Sequence, residues 1–81
     1  MKVTVHFYAQ LRDLVGKEKQ EIELIEDASV SDLLEDRYIK FPALRAHDKT
    51  ILVGVGVEFV DRAYKLKPGQ EISIMPPVQG G

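Results

Sequence analysis

The sequence predicts an α+β fold, with a sheet covered on one face by one main helix. Three observations carry this. Apolar and polar residues alternate at both ends of the chain, through Val3, Val5 and Phe7 and again through Ile72 and Ile74. A third alternating run passes through Ile51, Val53, Val55 and Val57. Between them, Ser29 to Lys40 joins a helix-start signal to sustained helical spacing. The order is strand, short helix, strand, helix, then strands. The 81 residues suffice for one small domain, with no repeat, linker or low-complexity segment.

Each element has its own justification. In the opening strand, Val3, Val5 and Phe7 share one parity and Lys2, Thr4 and His6 the other. Ala9 to Val15 has room for two helical turns, with Leu11, Leu14 and Val15 as the buried stripe. Gly16 stands where a left-handed C-cap is favoured. Glu21-Ile22-Glu23-Leu24 alternates as a second strand. Ser29 and Asp32 stand at capping-box spacing. Val30, Leu33, Leu34, Tyr38 and Phe41 then recur at helical spacing, as a core-facing stripe does. Pro42 ends the helix, and the segment up to Lys49 is expected to be a loop. Thr50 to Val57 is the strongest strand signal, with Leu52, Gly54 and Gly56 opposite the valine face. Glycines inside a strand point to a bulge or a close backbone approach. Gly56 suits a positive φ at a tight turn, whereas a second positive φ at Val57 would be unfavourable. Glu58-Phe59-Val60 resumes an extended run. Asp61 to Lys67 is irregular, and Lys67-Pro68-Gly69-Gln70 has the order of a type II turn. Glu71 to Met75 is the last strand, with Ile72 and Ile74 inward.

Composition excludes several function classes. A formal charge of −2 gives no basic footprint, so nucleic acid is not the expected partner. There are no cysteines, hence no disulfide framework or thiolate metal site. No run approaches a membrane span and no signal-peptide core opens the chain, so a cytoplasmic protein without membrane attachment is expected. His6 and His47, the only histidines, are isolated, and the acidic residues fall in charged stretches that read as a solvated helix face. No phosphate-binding glycine loop or dinucleotide fingerprint is present. An autonomous enzyme is not expected, nor a cofactor or metal held by this chain.

The chain closes with Met75-Pro76-Pro77-Val78-Gln79-Gly80-Gly81. Residues 1–75 form the expected domain and 76–81 an extended tail. Two prolines fix φ, push Met75 toward an extended conformation and favour a stiff, polyproline-like exit. A terminal glycine lacks Cβ, so it threads a narrow channel and leaves its carboxylate carbon uncrowded. A free carboxylate becomes electrophilic as an acyl-adenylate, and a sulfur nucleophile then converts it to a thiocarboxylate. That chemistry asks for an accessible tip and no catalytic side chain on this chain.

The ending Pro-Pro-Val-x-Gly-Gly resembles the molybdopterin synthase sulfur carrier family, the small subunit often called MoaD. Val3 to Gly16 resembles its opening strand and short helix. Ser29-Val30-Ser31-Asp32-Leu33-Leu34 resembles its capped helix, and Val55 to Val60 its Val-Asn-x-Glu-Phe/Tyr-Val segment, with Gly56 in place of Asn. The resemblance implies a β-grasp, ubiquitin-like fold with a mixed sheet in which the last strand lies beside the first. It implies that an E1-like enzyme adenylates Gly81 with ATP, and that a sulfur donor makes the thiocarboxylate. The large subunit of molybdopterin synthase then receives the tail, in a heterotetramer, and sulfur passes to the pterin precursor. Gly80 permits the threading.

Tyr8 and Met75 are bulky apolar residues on the polar parity of their strands. With the first and last strands adjacent, they are expected to meet near the tail, with Phe59 beside them. Together with Pro76, Pro77 and Val78 they form the candidate partner-binding surface. Where the family usually has Phe, this chain has Met75. Two other readings stand beside the carrier of molybdopterin sulfur. One uses the same tail for thiazole or tRNA thiolation or for protein modification. The other is a plain β-grasp interaction domain with an incidental Gly-Gly.

Overall fold

The computed structural model describes residues 1–77. It contains β1 (Lys2–Phe7), α1 (Ala9–Val15), β2 (Lys19–Glu23), α2 (Val30–Lys40), a 3-10 helix (Pro42–Thr50), β3 (Leu52–Val55), β4 (Glu58–Val60) and β5 (Glu71–Met75). One five-stranded sheet has the order β2-β1-β5-β3-β4. β1 and β5 run parallel, and every other neighbouring pair is antiparallel. This is the β-grasp arrangement, and it places β5, the strand that leads to the tail, in the middle of the sheet.

Register divides the sheet into two faces. Val3, Val5, Phe7, Ile22, Val53, Ile72 and Ile74 lie on one face and pack in a single core with Leu11, Val15, Val30, Leu33, Leu34, Tyr38 and Leu44. Both helices cover that face. The other face is open and carries Lys2, Thr4, His6, Leu52, Gly54, Phe59, Ser73 and Met75.

Local signals set the ends of the elements. Ser29 Oγ accepts from the Asp32 N–H at 3.2 Å, and the Ser29 N–H donates to Asp32 Oδ2 at 2.9 Å, a complete capping box. The Ser29 backbone bond holds the Asp32 carboxyl below the usual carboxylate range. Gly16 takes φ +80° as the C-cap of α1. Gly69 also has φ +80°, and the Gln70 N–H donates to the Lys67 carbonyl at 3.2 Å, which closes the type II turn.

Four expectations are corrected. Leu14 is exposed, because a seven-residue helix turns only Leu11 and Val15 toward the core. The second strand is Lys19–Glu23, two residues earlier at its start than the alternation suggests, since it begins where pairing with His6 begins. The expected loop after α2 is the 3-10 helix Pro42–Thr50, anchored by fully buried Leu44. The third strand stops at Val55, and Val57 is wholly exposed rather than inward, because Gly56 and Val57 form a two-residue hairpin loop. Gly56 has φ +62° and Val57 is not among the positive-φ residues, the pattern of a II′ turn with glycine at the first central position.

The 3-10 helix is tied down by a polar node. The Tyr38 hydroxyl donates to Asp48 Oδ1 at 2.6 Å, and Arg62 Nη1 donates to the same oxygen at 2.9 Å. Burial, then the bond to Asp48, pushes the Tyr38 phenol well above its ordinary value. The Tyr38 hydrogen bond, followed by that from Arg62, holds the Asp48 carboxyl below the usual range. A carboxylate whose folded pKa is depressed stabilises the fold above its unfolded pKa of about 3.9, and that stability is lost as pH falls through the folded value. Asp48→Asn is therefore expected to lower the urea midpoint at pH 7. Its deficit against the wild type should shrink as the pH is taken below about 4. A deficit that stays constant across the acid range would show that the Asp48 charge contributes nothing.

Candidate functional site

The site lies on the open face, where β5 gives out. The pairings Leu52↔Met75, Gly54↔Ser73 and Gly54↔Phe59 put these side chains side by side across three strands. Tyr8 follows directly on β1, and its N–H donates to the Ile74 carbonyl at 3.2 Å, which fixes it beside the end of β5. Tyr8, Val57, Phe59 and Met75 rim a hollow of about 330 Å³, floored by Gly54 and Ser73 with Gly56 and Glu58 at its edge. Phe59 is 67% exposed, Tyr8 46% and Val57 103%. Clustered large apolar side chains of this exposure, on a sheet face that also carries Lys2, Thr4 and His6, are unusual unless a partner covers them.

Tyr8 and Met75 are thus brought together as the strand parities imply, and the hairpin register, which parity left open, adds Phe59. Val57 completes the rim, although its alternation in the sequence points inward. The signal that identifies it is the Gly56-Val57 pair read as a hairpin loop, with the pairing Val55↔Glu58 on either side. Pro76 and Pro77 follow Met75 half-buried. Val78, Gly80 and Gly81 lie outside the described residues.

Among the described residues, those that line the hollow include no histidine. His6 Nε2 lies 2.8 Å from Glu71 Oε1 on the open face, an isolated pair. Among the described residues no group of three or more His, Asp and Glu is placed to hold a metal ion. None of the described helices is long and apolar enough to cross a membrane. What the arrangement offers is an exposed apolar hollow contiguous with Pro76 and Pro77.

Known proteins share this fold. The profile of the ThiS family matches residues 5–81. The chain belongs to the ThiS family. Among relatives of this ThiS-family chain is a molybdopterin synthase sulfur carrier subunit from Chlamydomonas reinhardtii, 35% identical over all of both chains. A solved structure described as a putative molybdopterin converting factor, subunit 1, from Pyrococcus furiosus superposes with a TM-score of 0.88. It is 30% identical, with 96% of this chain and 99% of that one covered. The small archaeal modifier protein 1 of Methanosarcina acetivorans superposes with a TM-score of 0.78 at 26% identity, covering 99% of this chain and 96% of that one. The resemblance read from the sequence, and the β-grasp fold it implies, both stand.

Proposed function

We propose that this chain is the sulfur carrier subunit of molybdopterin synthase. The observation that carries the reading is the position of β5. It is central in the sheet and delivers Pro76 and Pro77 from the edge of an exposed apolar hollow. The names of the ThiS-family relatives support it.

In this reading the Gly81 carboxylate attacks the α-phosphorus of ATP on an E1-like partner and pyrophosphate leaves. Sulfur from a donor displaces AMP and gives the thiocarboxylate. The large subunit of the synthase then takes the tail, its sulfur goes to the pterin precursor, and water restores the carboxylate. The catalytic groups and the ATP site belong to the partners. This chain holds no cofactor and supplies the reacting atom and its placement, for which remote binding energy is the physical source. A complex of two small and two large subunits, located in the cytoplasm, completes the proposal. The likeness to an archaeal modifier favours one second use of the same activated carboxyl, transfer to a lysine amine.

The test is intact mass after incubation with ATP, a sulfide source and the cognate E1-like enzyme. Replacement of one terminal oxygen by sulfur is expected, located to Gly81 in a C-terminal fragment and confirmed by thiol-selective alkylation. The last two steps separate it from oxidation of Met1 or Met75. An unchanged Gly81, with an enzyme shown to act on a known carrier, would sink the proposal. Lysine-linked adducts instead of sulfur transfer would favour the modifier use.

A further inference from the structure

We propose that Gly54 keeps a socket open for one bulky apolar side chain of the large subunit, and so acts as a specificity-determining residue. This rests on the carrier reading above. Glycine inside a strand is less stable than alanine, so an interior glycine needs a reason. Three ordinary reasons are absent at Gly54. Its φ is not positive, unlike those of Gly16, Gly56 and Gly69. The ladder runs unbroken through it on both sides, with Val53, Gly54 and Val55 paired in order to β4 and to β5, so there is no bulge. Packing does not forbid a side chain either. A Cβ there would meet Met75 Cε at 3.4 Å, the Glu58 carbonyl oxygen at 3.5 Å and Ser73 Cβ at 3.8 Å, which are ordinary contact distances.

The fold would therefore accept alanine at this position. What a side chain at 54 would remove is the depth of the hollow. Its floor is Gly54 and Ser73, its rim Tyr8, Val57, Phe59 and Met75, and its volume of about 330 Å³ fits one aromatic or long aliphatic side chain. Met75 is both the rim and the last residue of β5, so a protein that receives the tail also covers the hollow. The apolar rim selects an apolar occupant. The missing Cβ sets how deep that occupant reaches, and with it which partner fits.

Gly54→Ala and Gly54→Leu in the full chain test this. Urea midpoints are measured for the free proteins, and Kd is measured against the cognate large subunit. Gly54→Ala is expected to keep or raise the midpoint while weakening binding about 10-fold, and Gly54→Leu about 100-fold, as overfilling a packed contact does. A Tyr8→Ser, Met75→Ser double variant is run alongside. If the double variant loses affinity and both Gly54 variants bind like the wild type, the socket is refuted while the docking face survives. If the Gly54→Ala midpoint falls clearly, the glycine serves the fold and the socket is refuted. If the double variant also binds normally, the docking reading fails and takes the socket with it.

Discussion

One alanine added after Gly81 is expected to abolish sulfur loading. The carrier reading makes the Gly81 carboxylate the reacting group, and no side chain of this chain substitutes for it. An added residue can move the carboxylate by up to about 3.5 Å. It also places a Cβ beside the carbon to be attacked. Misplacement by about 1 Å costs on the order of 100-fold in a reaction that depends on positioning, so the loss here should exceed that. Adenylation is followed by pyrophosphate release and loading by C-terminal mass. Kd for the large subunit should change far less, because the hollow rimmed by Tyr8, Val57, Phe59 and Met75 is untouched. That split separates a carrier from a binding module. Loading of the extended chain at the wild-type rate would remove Gly81 from the chemistry.

How much of this was legible in the sequence follows from how local each signal is. The capping box of Ser29 and Asp32, the C-cap at Gly16 and the turn at Pro68-Gly69 depend on a few adjacent residues, and all three are as expected. The 3-10 helix was not legible, because one buried leucine in nine residues leaves no periodicity to read. Arg37 was not legible either. It looks like a solvated residue of α2, yet it is buried, donating to Gln20 Oε1 at 2.8 Å and ion-paired with Asp36. Its guanidinium carbon lies 5.9 Å from the centre of the Phe41 ring. Of these partners Asp36 and Phe41 are local, and Gln20, on β2, is the one set by tertiary structure. Nor does any glycine mark the sharp change of direction after Tyr8, where Ala9 takes φ +51° in the left-handed region. In the site, Tyr8 and Met75 announced themselves by parity alone. Phe59 needed the register across the hairpin, and Gly54 needed the register on both of its sides.

The Tyr8→Ser, Met75→Ser double variant is expected to lose most of its affinity for the large subunit while staying folded. Both side chains lie off the buried face. The backbone bond from the Tyr8 N–H to Ile74 does not depend on the side chain. Tyr8 is also the N-cap of α1 and makes no side-chain cap, so serine there supplies a favoured capping group. The urea midpoint should therefore shift little. Binding is different, because aromatic residues at the centre of an interface carry a large share of its energy. Loss of the Tyr8 anchor costs about 2 kcal/mol or more, roughly 30-fold in Kd, and loss of the Met75 contact beside it adds to that. The rate of large-subunit-dependent sulfur transfer at limiting concentration should fall with the affinity. At saturating large subunit it should recover, because the reacting group at Gly81 is unchanged. A variant that folds, binds and transfers like the wild type would leave the exposed apolar cluster without a role in docking. A variant that fails at saturation as well would show that the cluster orients the tail as well as holding the partner.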